Sequence, residues 1–157
     1  MALEQELIIL HYEQSIERVK DLRKLSEEQW RRPIDENKWT IAEIIGHFIP
    51  WDEFVLTARL PYFFQEGSLP KGPDVQQINN EAASKSRNQT KDKTIEEFIE
   101  IRRRLINALN DLDEERWQQV FYIGTSELTL YKYLSNMREH DDHHFEQIRY
   151  ALQERPN

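Results

Sequence analysis

Apolar residues recur at three- and four-residue spacing through four long stretches of this chain, with charged residues between them. That period predicts amphipathic helices. The first runs from Leu3 to Leu25, with Leu7, Ile8, Val19, Leu22 and Leu25 on its apolar stripe. The second opens at Thr40, where Glu43 completes a capping box, and buries Ile41, Ile44, Phe48 and Val55. The third is capped by Thr94, with Glu97 three residues on, and its stripe runs from Ile95 through Phe98, Ile101 and Leu105 to Leu112. The fourth, Thr129 to Gln153, is carried by Leu130, Leu134, Met137, His144, Ile148 and Leu152. Shorter elements fill the gaps. Ser26-Glu27-Glu28-Gln29 has a capping-box pattern and starts a turn of helix ending near Pro33, and residues 74–88 read as a short polar helix. Pro50 removes one backbone donor inside the second helix and predicts a kink just after His47. Pro61 and residues 67–73 mark the exit and a loop.

Leu25-Ser26-Glu27-Glu28-Gln29-Trp30 is echoed by Leu112-Asp113-Glu114-Glu115-Arg116-Trp117, and each leads to a helix opening on Thr-aliphatic, Thr40-Ile41 and Thr129-Leu130. The echo predicts two helix pairs related by a pseudo-twofold axis, with chance repetition of common capping chemistry as the alternative. The expected architecture is one all-α domain over residues 1–157, a four-helix bundle with short extra helices.

Composition agrees. A hydrophobic fraction of 38% and a charged fraction of 32% suit helices that each bury one stripe, and 4 glycines are too few for a turn-rich β fold. A net charge of -8 opposes binding to duplex DNA, and Arg102-Arg103-Arg104 scatters around its helix as a solvated face. There is no cysteine, so any metal must be held by nitrogen and oxygen. No apolar run reaches the length of a membrane span, and the acidic N-terminus lacks a signal-peptide pattern. The expectation is a cytoplasmic protein without nucleic-acid or membrane partners.

Three of the five histidines fall within His140-Asp141-Asp142-His143-His144. On a wheel of about 100° per residue, His140 and His144 lie near Tyr133, Met137 and Ile148, whereas His143 points away. A pair at i and i+4 can grip one ion, and a catalytic zinc-like site takes a third protein ligand. His47, at the edge of the second helix's stripe, is that third candidate. His11 reads as a hydrogen-bonded core histidine, with a fourth ligand or a substrate contact as the alternative. Asp141, Asp142 and Glu43 each have two readings: a carboxylate that orients a ligand ring, or a surface charge. The glutamate of a zinc-protease HExxH is absent, because Asp141 stands in its place.

Trp39-Thr40-Ile41-Ala42-Glu43-Ile44-Ile45-Gly46-His47, its continuation Phe48-Ile49-Pro50-Trp51, and the late block from His140 to Ile148 together resemble the DinB/YfiT-like superfamily. The resemblance implies an up-down-down-up four-helix bundle and a divalent metal, commonly zinc or nickel, on three histidines. Carried over, these are His47, His140 and His144, the residues that the wheels select. It also implies a homodimer. Activities in that superfamily diverge and include transfer of a low-molecular-weight thiol to electrophiles.

Three functions compete. One is a metal-dependent enzyme, a thiol S-transferase or a hydrolase, acting on a small molecule, with Trp51, Phe54, Tyr12 and Tyr133 as candidate pocket walls. Another is a small-molecule binding or sequestration protein with a structural metal. The last is a helical interaction module whose histidines pack in the core.

Overall fold

Side-chain caps set the boundaries of most helices in this chain. The computed structural model describes residues 3–65, 67 and 69–154. Helix α1 (Leu3–Asp21) passes through a 3-10 turn into α2 (Glu27–Arg31), where Ser26 and Gln29 exchange backbone and side-chain hydrogen bonds. Helix α3 (Ile41–Phe54) starts with the same device, built from Thr40 and Glu43. The Gln77 amide donates to the Asp74 carboxylate at 2.9 Å and starts α4 (Val75–Arg87). After α5 (Lys91–Asn110) and α6 (Glu114–Gln118) comes an antiparallel hairpin of β1 (Val120–Ile123) and β2 (Ser126–Thr129), which feeds α7 (Leu130–Glu154).

Residue pairs give the direction of each long helix. Ser15 on α1 meets Arg102 on α5, and Lys91 at the start of α5 donates to the Arg23 carbonyl just past the end of α1, so α1 and α5 are antiparallel. Phe48 meets Phe98 and Asp52 meets Arg102, so α3 and α5 run parallel. His11 meets Asp141 and Arg18 meets Phe145, so α1 and α7 run parallel. The order is therefore up-down-down-up, as expected. The core runs between the four helices and is made of Ile8, Tyr12, Val19, Ile44, Ile45, Phe98, Leu105, Leu109 and their neighbours.

The sequence echo has a structural counterpart. Both copies fold as five-residue helices, α2 and α6, and each places its tryptophan, Trp30 or Trp117, wholly inside the core. Neither indole N–H has an acceptor among the described residues. The caps differ, since Ser26 accepts a hydrogen bond and Asp113 does not.

Several expectations are corrected. Helix α5 begins at Lys91, not Thr94: Thr90 caps it by accepting from the Lys93 amide at 3.1 Å, and Thr94 is buried in the first turn, where it accepts from Gln89. Helix α3 runs to Phe54 with Pro50 inside it, as the sequence pattern predicts, but a π turn at 55–59 follows before the exit at Pro61. Leu7 is exposed with Leu3 and Leu10 on the outer side of α1, because Ile8, Tyr12, Ile16 and Val19 take the inner side. The hairpin was not expected at all. Among the described residues no helix is long and apolar enough to cross a membrane.

Candidate metal centre

His47 sits mid-way along α3, buried, with its Nδ1 against the Ile44 carbonyl. A carbonyl only accepts, so Nδ1 carries the proton and Nε2 keeps its lone pair. His144 projects from α7, and its Nδ1 lies 2.9 Å from Gln147 Oε1, which leaves Nε2 free in the same way. His140, one turn earlier, is exposed. The rings of His140 and His144 are 4.6 Å apart between centroids, and those of His47 and His144 are 4.7 Å apart. One ligand atom from each of the three residues lies within 4.8 Å of the others. The structure thus brings His47, His140 and His144 together.

Burial pushes the His47 imidazole down to about 4, against the opposing effect of its bond to Ile44; the neighbouring histidines add to the fall. Burial also lowers His144, with the Gln147 contact opposing. Both rings are therefore neutral at neutral pH, the state in which imidazole binds a metal ion. Nitrogen donors with free lone pairs, converging from two helices, fit a divalent cation of the zinc or nickel type.

The three histidines form one wall of a cavity of about 640 Å³. Trp39, Trp51, Tyr133 and Met137 supply apolar walls, and Ile123 and Leu128 of the hairpin close one side. Trp51 and Tyr133 thus stand where a pocket wall was expected. Tyr12 and Phe54 do not line the cavity: Tyr12 is buried against Arg102, and Phe54 stacks beneath Arg59.

Behind the cavity lies a buried ion network that the sequence reading missed. Arg102, 1% exposed, donates from Nε to Asp52 at 2.6 Å and from Nη1 to Asp141 at 2.7 Å. It is no part of a solvated face. His11 Nε2 lies 2.9 Å from Asp141, so His11 is the hydrogen-bonded core histidine rather than a fourth member of the cluster. Asp141 faces this network instead of orienting a ligand ring. Burial would raise its carboxyl, but Arg102 and the hydrogen bonds from His11 and Arg102 outweigh this and hold it at about 2. Burial pushes Asp52 up to about 6, with Arg102 opposing and Asp141 reinforcing. Two carboxylates share one guanidinium, and Asp52 is the one that takes a proton first as pH falls. Asp142 is half exposed, near Arg138, and Glu43 belongs to the cap of α3 and pairs with Arg87. His143 is exposed, outside the cluster.

A signal for the network was present. Arg102 falls within the series Phe98, Arg102, Leu105, Leu109, and Asp52 within Ile44, Phe48, Asp52, Val55. A charge at the centre of an apolar helical stripe must be buried with a partner.

The model of the DinB superfamily matches residues 11–148, and the chain belongs to that superfamily. A solved structure of YfiT from Bacillus subtilis, described as a probable metal-dependent hydrolase with an unusual four-helix bundle topology, superposes with a TM-score of 0.79. The match covers 98% of this chain and 89% of that one at 15% sequence identity, a likeness of fold. No curated protein matches.

Proposed function

We propose that this member of the DinB superfamily is a metal-dependent enzyme that acts on a small molecule held in the cavity beside His47, His140 and His144. The convergence of three histidines on one wall of that cavity carries the reading. Three neutral imidazoles leave a divalent ion its full charge, and a bound ion supplies Lewis acidity and a nucleophile at neutral pH. The chain's own residues do the rest. The apolar walls exclude water from the substrate's body, and Asp52, on the cavity wall, is placed to hold a proton.

The chain has no cysteine, so a thiol nucleophile would have to come from outside it. Water would make the reaction a hydrolysis, and a low-molecular-weight thiol would make it an S-transfer. The description of the YfiT structure makes hydrolysis the first to test. Leu3, Leu7 and Leu10, exposed on one side of α1, support a homodimer as part of this reading.

The test is elemental analysis of untagged protein, wild type and His140→Ala/His144→Ala, followed by ester and amide hydrolysis and thiol-transfer panels. About one ion per chain, lost in the double variant together with turnover, is the expected result. Wild type that stays metal-free after incubation with zinc and nickel salts sinks the reading. Metal without turnover favours a binding or sequestration protein.

A further inference from the structure

The walls of the cavity are selective in charge as well as in shape. The charged side chains among its lining residues are Asp52 and Asp141, and Arg102 binds both from behind. No lysine or arginine lines it among the described residues. Away from the three histidines, an anionic group would be buried against two carboxylates with only Arg102, already shared between them, to meet it. A cationic one would share the cavity with the metal ion. Beside the neutral polar Ser126, Asn79 and Asn136, the remaining walls are apolar, and the flat rings of Trp39, Trp51 and Tyr133 suit a ring.

One polar group in this lining is fixed in orientation. Trp51 Nε1 donates to Asn79 Oδ1 at 2.8 Å. An indole N–H can only donate, so the oxygen of the Asn79 amide must face Trp51, and its two N–H donors are turned away from the indole. Those donors have no acceptor among the described residues, and Asn79 lines the cavity. A half-buried amide with idle donors on an apolar wall is a ready partner for a carbonyl or ether oxygen.

Resting on the reading of this cavity as a substrate site, we propose that it takes an uncharged molecule with an aromatic body, whose hydrogen-bond acceptor is met by Asn79. Trp51 has two roles: its ring packs on the body and its N–H orients the amide.

The proposal is tested on protein dialysed against EDTA, so that binding is measured without turnover. Ligand-observed NMR titrations use acetanilide (neutral, with an acceptor), benzoate (anionic) and toluene (no acceptor). Acetanilide should bind at least about tenfold more tightly than benzoate. Asn79→Ala should weaken acetanilide about fivefold and leave toluene unchanged. Trp51→Phe, which keeps a ring but frees the amide, should likewise weaken acetanilide alone, whereas Trp51→Ala should weaken both. Benzoate binding as tightly as acetanilide, equal losses for both probes in Asn79→Ala, or no saturation by any probe would overturn the proposal. The same titration on His140→Ala/His144→Ala separates it from the metal reading. A metal-free wild type with the expected probe pattern would remove the enzyme and keep the binding class; a metal-loaded wild type without the pattern would do the reverse.

Discussion

Arg102 shows how one residue can shape the site from behind. It is flanked by Asp52 and Asp141, and its guanidinium cannot neutralise two full negative charges, so burial keeps a proton on Asp52 up to about pH 6. The linkage has a definite sign. Asp52 titrates near 3.8 when unperturbed and near 6 in the fold, so the folded state binds more protons between those values. Its contribution to stability is fully present below pH 3.8 and is lost as pH rises through 6. Asn at this position mimics the protonated form at every pH. Relative to Asp52→Asn, metal-free wild type should therefore lose on the order of 1–3 kcal/mol between pH 4 and pH 7.5, measured by urea unfolding of both proteins. A difference independent of pH would mean that Arg102 keeps Asp52 ionised throughout. At this scale the three clustered histidines were legible, because spacing on a helix reports which side chains share a face. The ion network was not, because three adjacent arginines look alike in sequence and only the position of Arg102 within the stripe of Phe98, Leu105 and Leu109 sets it apart.

Helix contacts place His47, and its neighbour Gly46 makes a close one. A Cβ built there would sit 2.8 Å from Ser86 Cβ and 3.5 Å from the Ala82 carbonyl, so α3 and α4 meet at van der Waals distance. Gly46→Ala should gain helix propensity worth about 1 kcal/mol. The clash should outweigh it, for a net loss of about 1–3 kcal/mol in chemical denaturation, because the obstacle is a Cβ rather than the end of a flexible chain. Adding Ser86→Gly should remove the coupling. A stabilised Gly46→Ala would show that α4 yields freely. The elements themselves were readable where capping chemistry is local, as at Ser26, Thr40 and Asp74. The start of α5 was misplaced because Thr94, which opens the apolar stripe, resembles a cap as well as Thr90 does. The hairpin was passed over although Val120-Phe121-Tyr122-Ile123 is rich in β formers and Gly124, at φ 60°, begins a two-residue turn. Helical periodicity on both sides absorbed it, yet it supplies one side of the cavity.

At the scale of the whole molecule, the three histidines add a bridge between α3 and α7 to the one that Arg102 makes between Asp52 and Asp141. The closest neighbours of α7 are α1, α6 and β2, whereas α3 packs mainly on α4 and α5. Across the cavity, α3 and α7 meet through side chains, Phe48 on Phe145 and His47 on the His140–His144 pair. An ion bound by all three imidazoles would cross-link the two layers, and the unfolded chain offers no such constellation. Binding to the folded state alone stabilises by about 2.7 kcal/mol when free ion is at a hundred times its Kd. For a domain of this size that corresponds to a rise in Tm of roughly 5–10 °C. Zinc or nickel added to EDTA-treated wild type should produce such a rise in a thermal melt, EDTA should reverse it, and His140→Ala/His144→Ala should show none. The acidic surface supplies the control, since a net charge of -8 attracts cations without any built site. Nonspecific binding of that kind would shift wild type and double variant equally and would fade with added salt. Only a shift confined to wild type and insensitive to salt assigns the stabilisation to the bridge between α3 and α7.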